Sequence, residues 1–417
     1  MEKLNKKRGS VTVLVMLLFV TLVSMILTFV AVSKETALKS AVGELGLVWV
    51  NSILGEYDLN LQNRYGIFGF YGMEGEVAGK LDHYARESFT DKKYVDYGGC
   101  RCSLYEYSLA NTDMMKKQIV TLGRLAAAEK LLEPDDGIVP AEGADYGTIR
   151  NRAILRHLPS AGSKRSVTIS GAAYLLKSSA SVKDAVKKGT DRYFENSYLF
   201  SYYKDRMDSR GLGRTFFHNE IEYVINGRPD DSTNERLTML KLIGVREVMN
   251  LAFIIRDPKL SGETLAAAEL MTPGPAAPVT QKLIQAAWAL AESRNDYLLL
   301  INGGRVPVMK DADSWAIDLQ SIVGRSPKKG DEKDLKKKAA YVDTHNRSGD
   351  TYEDYLGFLA YAMDEEVKVL RMMDLMQINM KYCYYEDFEL RDYSAGLKAV
   401  FSVNGDDHEV EKEYQPE

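Results

Sequence analysis

Cysteine is scarce in this chain: Cys100, Cys102 and Cys383 are the three present in 417 residues. So few cannot furnish a disulfide framework, although one bridge to Cys383 stays open. The single residue between Cys100 and Cys102 would strain a mutual bridge and is shorter than the usual spacing of paired zinc thiolates. Histidine is almost as rare. His83, His157, His218, His345 and His408 are scattered, with no helical pair of the metalloprotease kind. No serine sits in a nucleophile elbow and no glycine-rich segment ends in Lys-Ser or Lys-Thr. Gly211-Leu212-Gly213 lacks the third glycine of a dinucleotide turn. Asp311 and Asp313 begin like a calcium loop, but Trp315 stands where the next oxygen ligand is needed. A net charge of -5 supplies no basic face for nucleic acid. From these absences no catalytic residue, cofactor, metal or nucleic-acid partner is expected. His218, Glu220 and Glu222, alternating on an expected strand, are the nearest approach to a metal or acid-base set, and a solvated strand face accounts for them more simply.

What the chain does have is one long apolar run. From Ser10 to Ser33 there is no charge, and VTVLVMLLFVTLVSMILTFVAV supplies about 33 Å of helix, enough for a bilayer core of about 30 Å. The lipid bilayer is therefore the first expected partner, met by Val11, Leu17, Leu22, Ile26 and Val32. The run exceeds the apolar region of a cleaved secretory signal, so an anchor is expected, with a cut after Ser33 as the alternative because Ala31 and Ser33 are small. Lys3, Lys6, Lys7 and Arg8 precede the helix, which places the N terminus in the cytoplasm and the rest outside the cell membrane.

Beyond the span, Leu38, Ala41, Val42, Leu45, Val48, Trp49 and Ile53 recur at helical spacing and predict an amphipathic stem to about Leu61. Next come a turn and short strand in RYGIFGFYG, a helix over 76–89, a strand over 101–109 and a helix over 113–132. A helix is expected in SGAAYLLKSSASVKDAVKK and strands in SYLFSYYKDR and NEIEYVING, the last turning at Asn226-Gly227. Long helices follow over 233–256 and 279–300, with a short one over 260–271. The first is expected to bury Leu237, Leu240, Leu242, Ile243, Val248, Leu251, Ala252 and Ile255, the second Leu283, Ala287, Leu290, Arg294, Tyr297 and Ile301. A solvated loop is expected over 328–338. Two methionine-bearing core helices and two strands, CYYEDFEL and LKAVFSV, complete the pattern. The fold class is α+β: a transmembrane helix continuing as a stem into a mixed extracytoplasmic domain with a helical core and antiparallel strands. The expected parts are a cytoplasmic basic segment 1–9, a transmembrane helix 10–33, a stem 34–64, a first domain part 65–210, a helix-rich second part 211–405 and an acidic tail 406–417.

The segment KKRGSVTVLVMLLFVTLVSMI, a basic cluster followed by Gly9-Ser10 and an apolar helix, resembles the N terminus of minor-pilin-like proteins of tight-adherence (Tad) pilus systems. AVGELGLVWVNSILGEYDLNLQNRYGIFGF, FHNEIEYVINGR, LIQAAWALAESRNDYLLLINGGRVPVMKDADSW and YEDYLGFLAYAMDEEVKVLRMMDLMQINM are similar to an uncharacterised Firmicutes membrane-anchored family, domain of unknown function 5702, often associated with Tad-type pilus genes. The resemblance implies a non-enzymatic surface protein, a structural or assembly component partnered by other membrane or pilus-assembly proteins. In pilins a peptidase cuts after the glycine, here Gly9, before Ser10, and a glutamate follows at the fifth mature position. Leu14 stands there in this chain, so an anchor that stays in the membrane is expected. A membrane-tethered hydrolase and an adhesive ligand-binding ectodomain are the alternatives.

Overall fold

The computed structural model describes residues 5–92, 94–130, 152–161, 163, 165–177, 179–207, 213–324 and 348–414, with the backbone alone of 5–10, 130 and 152. It is an α+β protein, mostly helical, with small antiparallel sheets. The helices in chain order are α1 Asn5–Leu54, α2 Leu59–Tyr65, α3 Glu74–Phe89, α4 Thr112–Lys130, α5 Ile169–Leu176, α6 Val182–Ala185 and α7 Asp191–Tyr202. They continue as α8 Glu220–Asn226, α9 Asp231–Arg256, α10 Pro258–Met271, α11 Ala277–Leu300, α12 Leu319–Val323, α13 Tyr352–Tyr361 and α14 Glu365–Cys383. The strands are β1 Phe70–Tyr71, β2 Tyr97–Ser103, β3 Tyr393–Ser394, β4 Gly396–Val403 and β5 Asp406–Glu413. The helices and strands divide between two compact units built from non-contiguous segments.

Unit 1 holds residues 1–58, 68–108 and 392–415. Its spine is α1, one helix of 50 residues that includes the whole apolar run, with mean hydropathy 2.9 over its most apolar window and none of that window buried. The apolar run is thus long enough to cross a membrane. Past it, the same helix buries Val42, Trp49, Val50, Ile53 and Leu54 against α3 and the antiparallel sheet β2-β4-β5. The expected stripe is largely the docked one, but Val48 points to solvent and α1 ends at Leu54; the separate α2 follows where the stem was expected to continue. Trp49 wedges edge-on between Phe89 and Phe401 at ring separations of 5.6 and 5.0 Å, and its Nε1 donates to Ser88 Oγ at 3.1 Å. β4 buries Leu397, Ala399, Phe401 and Val403 on alternate positions, the pattern of a one-sided sheet.

Two strand readings are corrected here. CYYEDFEL is not a strand: it begins in the last residue of α14 and ends in a short 3-10 turn. Residues 406–413, expected in an acidic tail, form β5, which pairs with β4 through a turn at Asn404-Gly405 with φ of +53° and +87°. Those positive angles are what a tight hairpin turn requires. β5 reads as a tail because Val410 is its one buried residue. β2 also starts earlier than expected and gives way to a 3-10 turn at Tyr105–Tyr107.

Unit 2 holds residues 59–67 and 109–391 and is helical throughout its named elements. Two expected strands are helices. SYLFSYYKDR lies in and just after α7, where Thr190 Oγ1 accepts from Tyr193 N, and Glu195, Tyr198 and Leu199 fall on one buried face. NEIEYVING is α8, closed by Gly227 in the left-handed conformation at φ +64°. All seven α8 residues are buried, so its alternation records burial on every side rather than a pleat. The expected helix over 170–188 is broken into α5 and α6, each capped at its start by a side chain, Thr168 and Ser181. The loop expected over 328–338, His345 and part of the segment around Gly211 lie outside the described residues.

The long helices stand where expected, but of the residues expected to be buried Leu242 and Tyr297 are, while the faces turned inward are otherwise shifted. On α9, Leu240 and Ile255 are exposed, while Asn234, Thr238, Leu242, Val245, Arg246, Met249 and Asn250 are buried. On α11, Leu283 is exposed, whereas Ile284, Trp288, Glu292 and Asp296 are buried. The methionine stripe of α14 is core: Met372, Met373, Met376 and Met380 are fully buried.

Close helix contact is set by glycine at one position in particular. A Cβ on Gly123 of α4 would stand 1.9 Å from the Phe194 carbonyl oxygen of α7, whereas one on Gly79 of α3 meets nothing within 4 Å. Gly123→Ala is therefore expected to destabilise unit 2 by about 1–3 kcal/mol through overpacking, and Gly79→Ala to stabilise by about 1 kcal/mol. Thermal melts of the detergent-solubilised chain measure both; an unchanged midpoint for Gly123→Ala would contradict the α4–α7 contact.

Candidate functional site

Val11, Leu17, Leu22, Ile26 and Val32 all lie on α1 and are each 54–62% exposed, an apolar surface on every side of the helix. Thr21 and Thr28 sit among them and return their hydroxyl protons to the carbonyls of Leu18 and Ser24, the arrangement that leaves least polarity facing an apolar solvent. The Gly9–Ser10 peptide falls inside α1.

Charge chemistry gathers instead inside unit 2. The pair Glu220 and Glu222 does not share a solvated face: both are buried on α8 and point into different networks. Asn379 Nδ2 donates to Glu220 Oε1 at 2.6 Å and also to the Tyr65 hydroxyl at 2.9 Å, while Lys204 N donates to Glu220 Oε2 at 3.2 Å. Tyr352 OH donates to Glu222 Oε1 at 2.8 Å, joined by Arg206 N at 3.2 Å. Burial pushes both carboxyls up to about 7, against the hydrogen bonds that favour their charged forms. His218 is not a ligand partner to them; its backbone N donates to Asp231. Beside α8, Arg371 on α14 donates to the carbonyls of Val224, Ser163 and Arg165, and Asp374 accepts from Tyr223 OH and Ser160 N at 2.8 Å each.

A second cluster lies between α9 and α11. Arg246 Nε donates to Asp296 Oδ2 at 2.9 Å and its Nη1 to the carbonyls of Pro307 and Val308. Asn250 Nδ2 donates to the same Asp296 oxygen and to Ser293 Oγ. Lys310 pairs with both Glu292 and Asp296, and the backbone N–H groups of Ala316 and Ile317 donate to Glu292. Burial alone would raise Asp296, but Arg246 and Lys310 outweigh it and hold that carboxyl below its usual range. Sequence reading passed over this cluster because it sought apolar stripes. The legible signal was spacing: Arg246 with Asn250 and Glu292 with Asp296 are i,i+4 pairs, each on one helix face.

Chemically, carboxyls near neutral pKa suit acid-base work, yet Glu220 and Glu222 are 1% and 0% exposed and already engaged by protein donors. Their geometry serves cohesion. Asp311 closes a local turn, accepting from Ser314 N at 2.9 Å. Among the described residues no group of three His, Cys, Asp or Glu is arranged to hold a metal. Cys100 and Cys102 are free and half-buried on β2, and burial pushes each thiol up to about 12, away from thiolate reactivity.

Fold and site together define a mostly helical α+β protein with an N-terminal apolar helix and an ion-paired core. A model described as a family of unknown function (DUF5702) matches residues 145–405, and the chain belongs to that family. No curated protein and no solved structure matches it.

The raised carboxyls fix a pH dependence. A carboxyl near 4.5 when unfolded but about 7 when folded keeps a proton that the unfolded chain releases, so its contribution is full in acid and lost as pH rises through 7. Glu365 acts oppositely: burial raises it, but hydrogen bonds from Lys116 and Arg192 outweigh that and bring it to about 2, so its contribution is lost in strong acid. The thermal midpoint of unit 2 is expected to be higher at mildly acidic than at mildly alkaline pH, and Glu222→Gln to flatten that slope. A midpoint that rises across neutral pH would overturn the assignment.

Proposed function

We propose that the chain is a non-enzymatic, single-pass membrane-anchored surface protein, with its N terminus cytoplasmic and both units outside the cell membrane, serving as a structural or assembly component of a Tad-like pilus. The observation that carries the anchoring is the continuity of α1: one helix offers an unburied apolar stretch and then docks Val42, Trp49 and Ile53 into the core of unit 1. A helix so built ties a folded unit directly to a bilayer. The basic residues before the span support the orientation. The pilus assignment rests on the resemblance of the Gly9-Ser10 entry and apolar helix to Tad minor-pilin-like N termini, and Leu14 favours an anchor over a filament subunit. The enclosure of Glu220 and Glu222 by Asn379, Lys204, Tyr352 and Arg206 favours a cohesive, non-catalytic role.

Alkaline extraction is expected to leave the protein in the membrane fraction, and protease added to intact cells to digest the part beyond residue 33. Mass of the mature N terminus is expected to retain residues 11–32; a product beginning at Lys34 would refute the anchor. Immunoprecipitation from native membranes with mass spectrometry is expected to recover pilus-assembly or secretion proteins, and their consistent absence would refute the pilus role alone.

A further inference from the structure

The sheet β2-β4-β5 of unit 1 has two edges, and they are finished differently. β2 breaks register between Tyr97 and Gly99, an irregularity of the kind that turns an edge away from new partners. β5 pairs with β4 residue for residue over all eight of its positions and contains no proline. The two-residue turn at Asn404-Gly405 closes on the pair Val403 and Asp406. Alternation from that pair aims the backbone N–H and C=O groups of Asp407, Glu409 and Glu411 away from β4. Among the described residues no backbone group bonds to these outward groups, and all three residues are exposed.

An open, regular edge is a template for one more strand. Side chains along it set which strand. Asp407, Glu409, Glu411 and Glu413 alternate on the outer face of the sheet, where Arg101 pairs with Asp407 and Lys398 with Glu409 at 2.6 Å each, and the Tyr107 hydroxyl donates to Glu411. Four carboxylates thus face two cations along this edge. On the inner face Val410 lies against Gly46, and Lys412 donates to Asn51 Oδ1 at 2.7 Å. Leu47, one turn before Asn51 on that flank of α1, is 43% exposed. We propose that the β5 edge takes up an extended basic segment of another protein as a fourth strand, with lysine or arginine on the outer face and apolar side chains between them turned toward Leu47. Main-chain hydrogen bonds to residues 407–411 supply the affinity, and the alternating side chains supply the selection. A second copy of this edge would set carboxylate against carboxylate, which selects against self-pairing.

The probe is a fluorescent peptide of alternating lysine and valine, as long as β5, titrated by anisotropy against the full chain in an uncharged detergent. It reads this edge independently of any pilus role. N-methylation of alternate peptide nitrogens, which removes the pairing donors and keeps the charge, is expected to weaken binding about tenfold or more. Glu409→Pro gives up an outward N–H and no ladder bond, so it is expected to hold the wild-type thermal midpoint and lose the peptide, whereas Glu409→Gln is expected to bind within about threefold of wild type. Equal affinity for the N-methylated peptide, which needs no variant to fold, would overturn strand pairing, as would peptide retained by Glu409→Pro. Equal affinity for a glutamate and valine peptide would overturn the basic partner, and no binding of the lysine and valine peptide would overturn both.

Discussion

A charge taken out of water must meet a counter-charge or a set of hydrogen bonds, and that constraint selects how the helices of unit 2 face one another. Arg246, Asp296, Lys310, Glu292, Lys368, Arg371 and Asp374 are all buried, and their partners come from neighbouring helices or from the segments that close over them. Such pairs add little over a well-packed apolar core, but removing one partner costs about 3–5 kcal/mol. Their effect is therefore selective. Leu240 and Ile255 on α9 stay exposed, and rotating the helix to bury them would strand Arg246 and Asn250.

The same constraint explains what the sequence made legible. Element positions were readable where a single period dominated: the apolar run of α1, the methionines of α14 and the alternation of β4. The inward faces of α9 and α11 were not, since ion-paired stripes look solvated until their partners are known. The two Asn-Gly pairs show the limit of local signals. Asn404-Gly405 makes the hairpin that such a pair favours, whereas at Asn226-Gly227 the same residues cap a helix. In the second case Asn226 donates to the Glu222 and Asn234 carbonyls, and a Cβ on Gly227 would stand 2.7 Å from Arg371 Nε. Tertiary packing, absent from the local sequence, decides the outcome.

Raised carboxyls often mark reactive sites, and the α8 pair carries that mark. Here its cause is enclosure. Glu220 is tied to Asn379 and Lys204, and Glu222 through its Oε1 to Tyr352 and Arg206, so each holds segments together. A near-neutral carboxyl with no exposed surface binds protons as part of the fold, and its titration is read in stability before anything else.

On the proposed membrane reading, α1 also fixes how near unit 1 lies to the bilayer. From Val32 to Val42, the first fully buried stem residue, is ten residues of unbroken helix, or about 15 Å. That leaves room for little more than the headgroup layer before the sheet begins. The close seat depends on Gly46, where a Cβ would meet Val410 Cγ2 at 2.7 Å and Phe401 at 3.3 Å. Glycine weakens a helix interior by about 1 kcal/mol relative to alanine, so its place in the middle of this stem is explained by the approach of β5. Because Trp49 locks the next turn between Phe89 and Phe401, rotation or tilt of the membrane segment is passed to the sheet of unit 1 without a hinge between them.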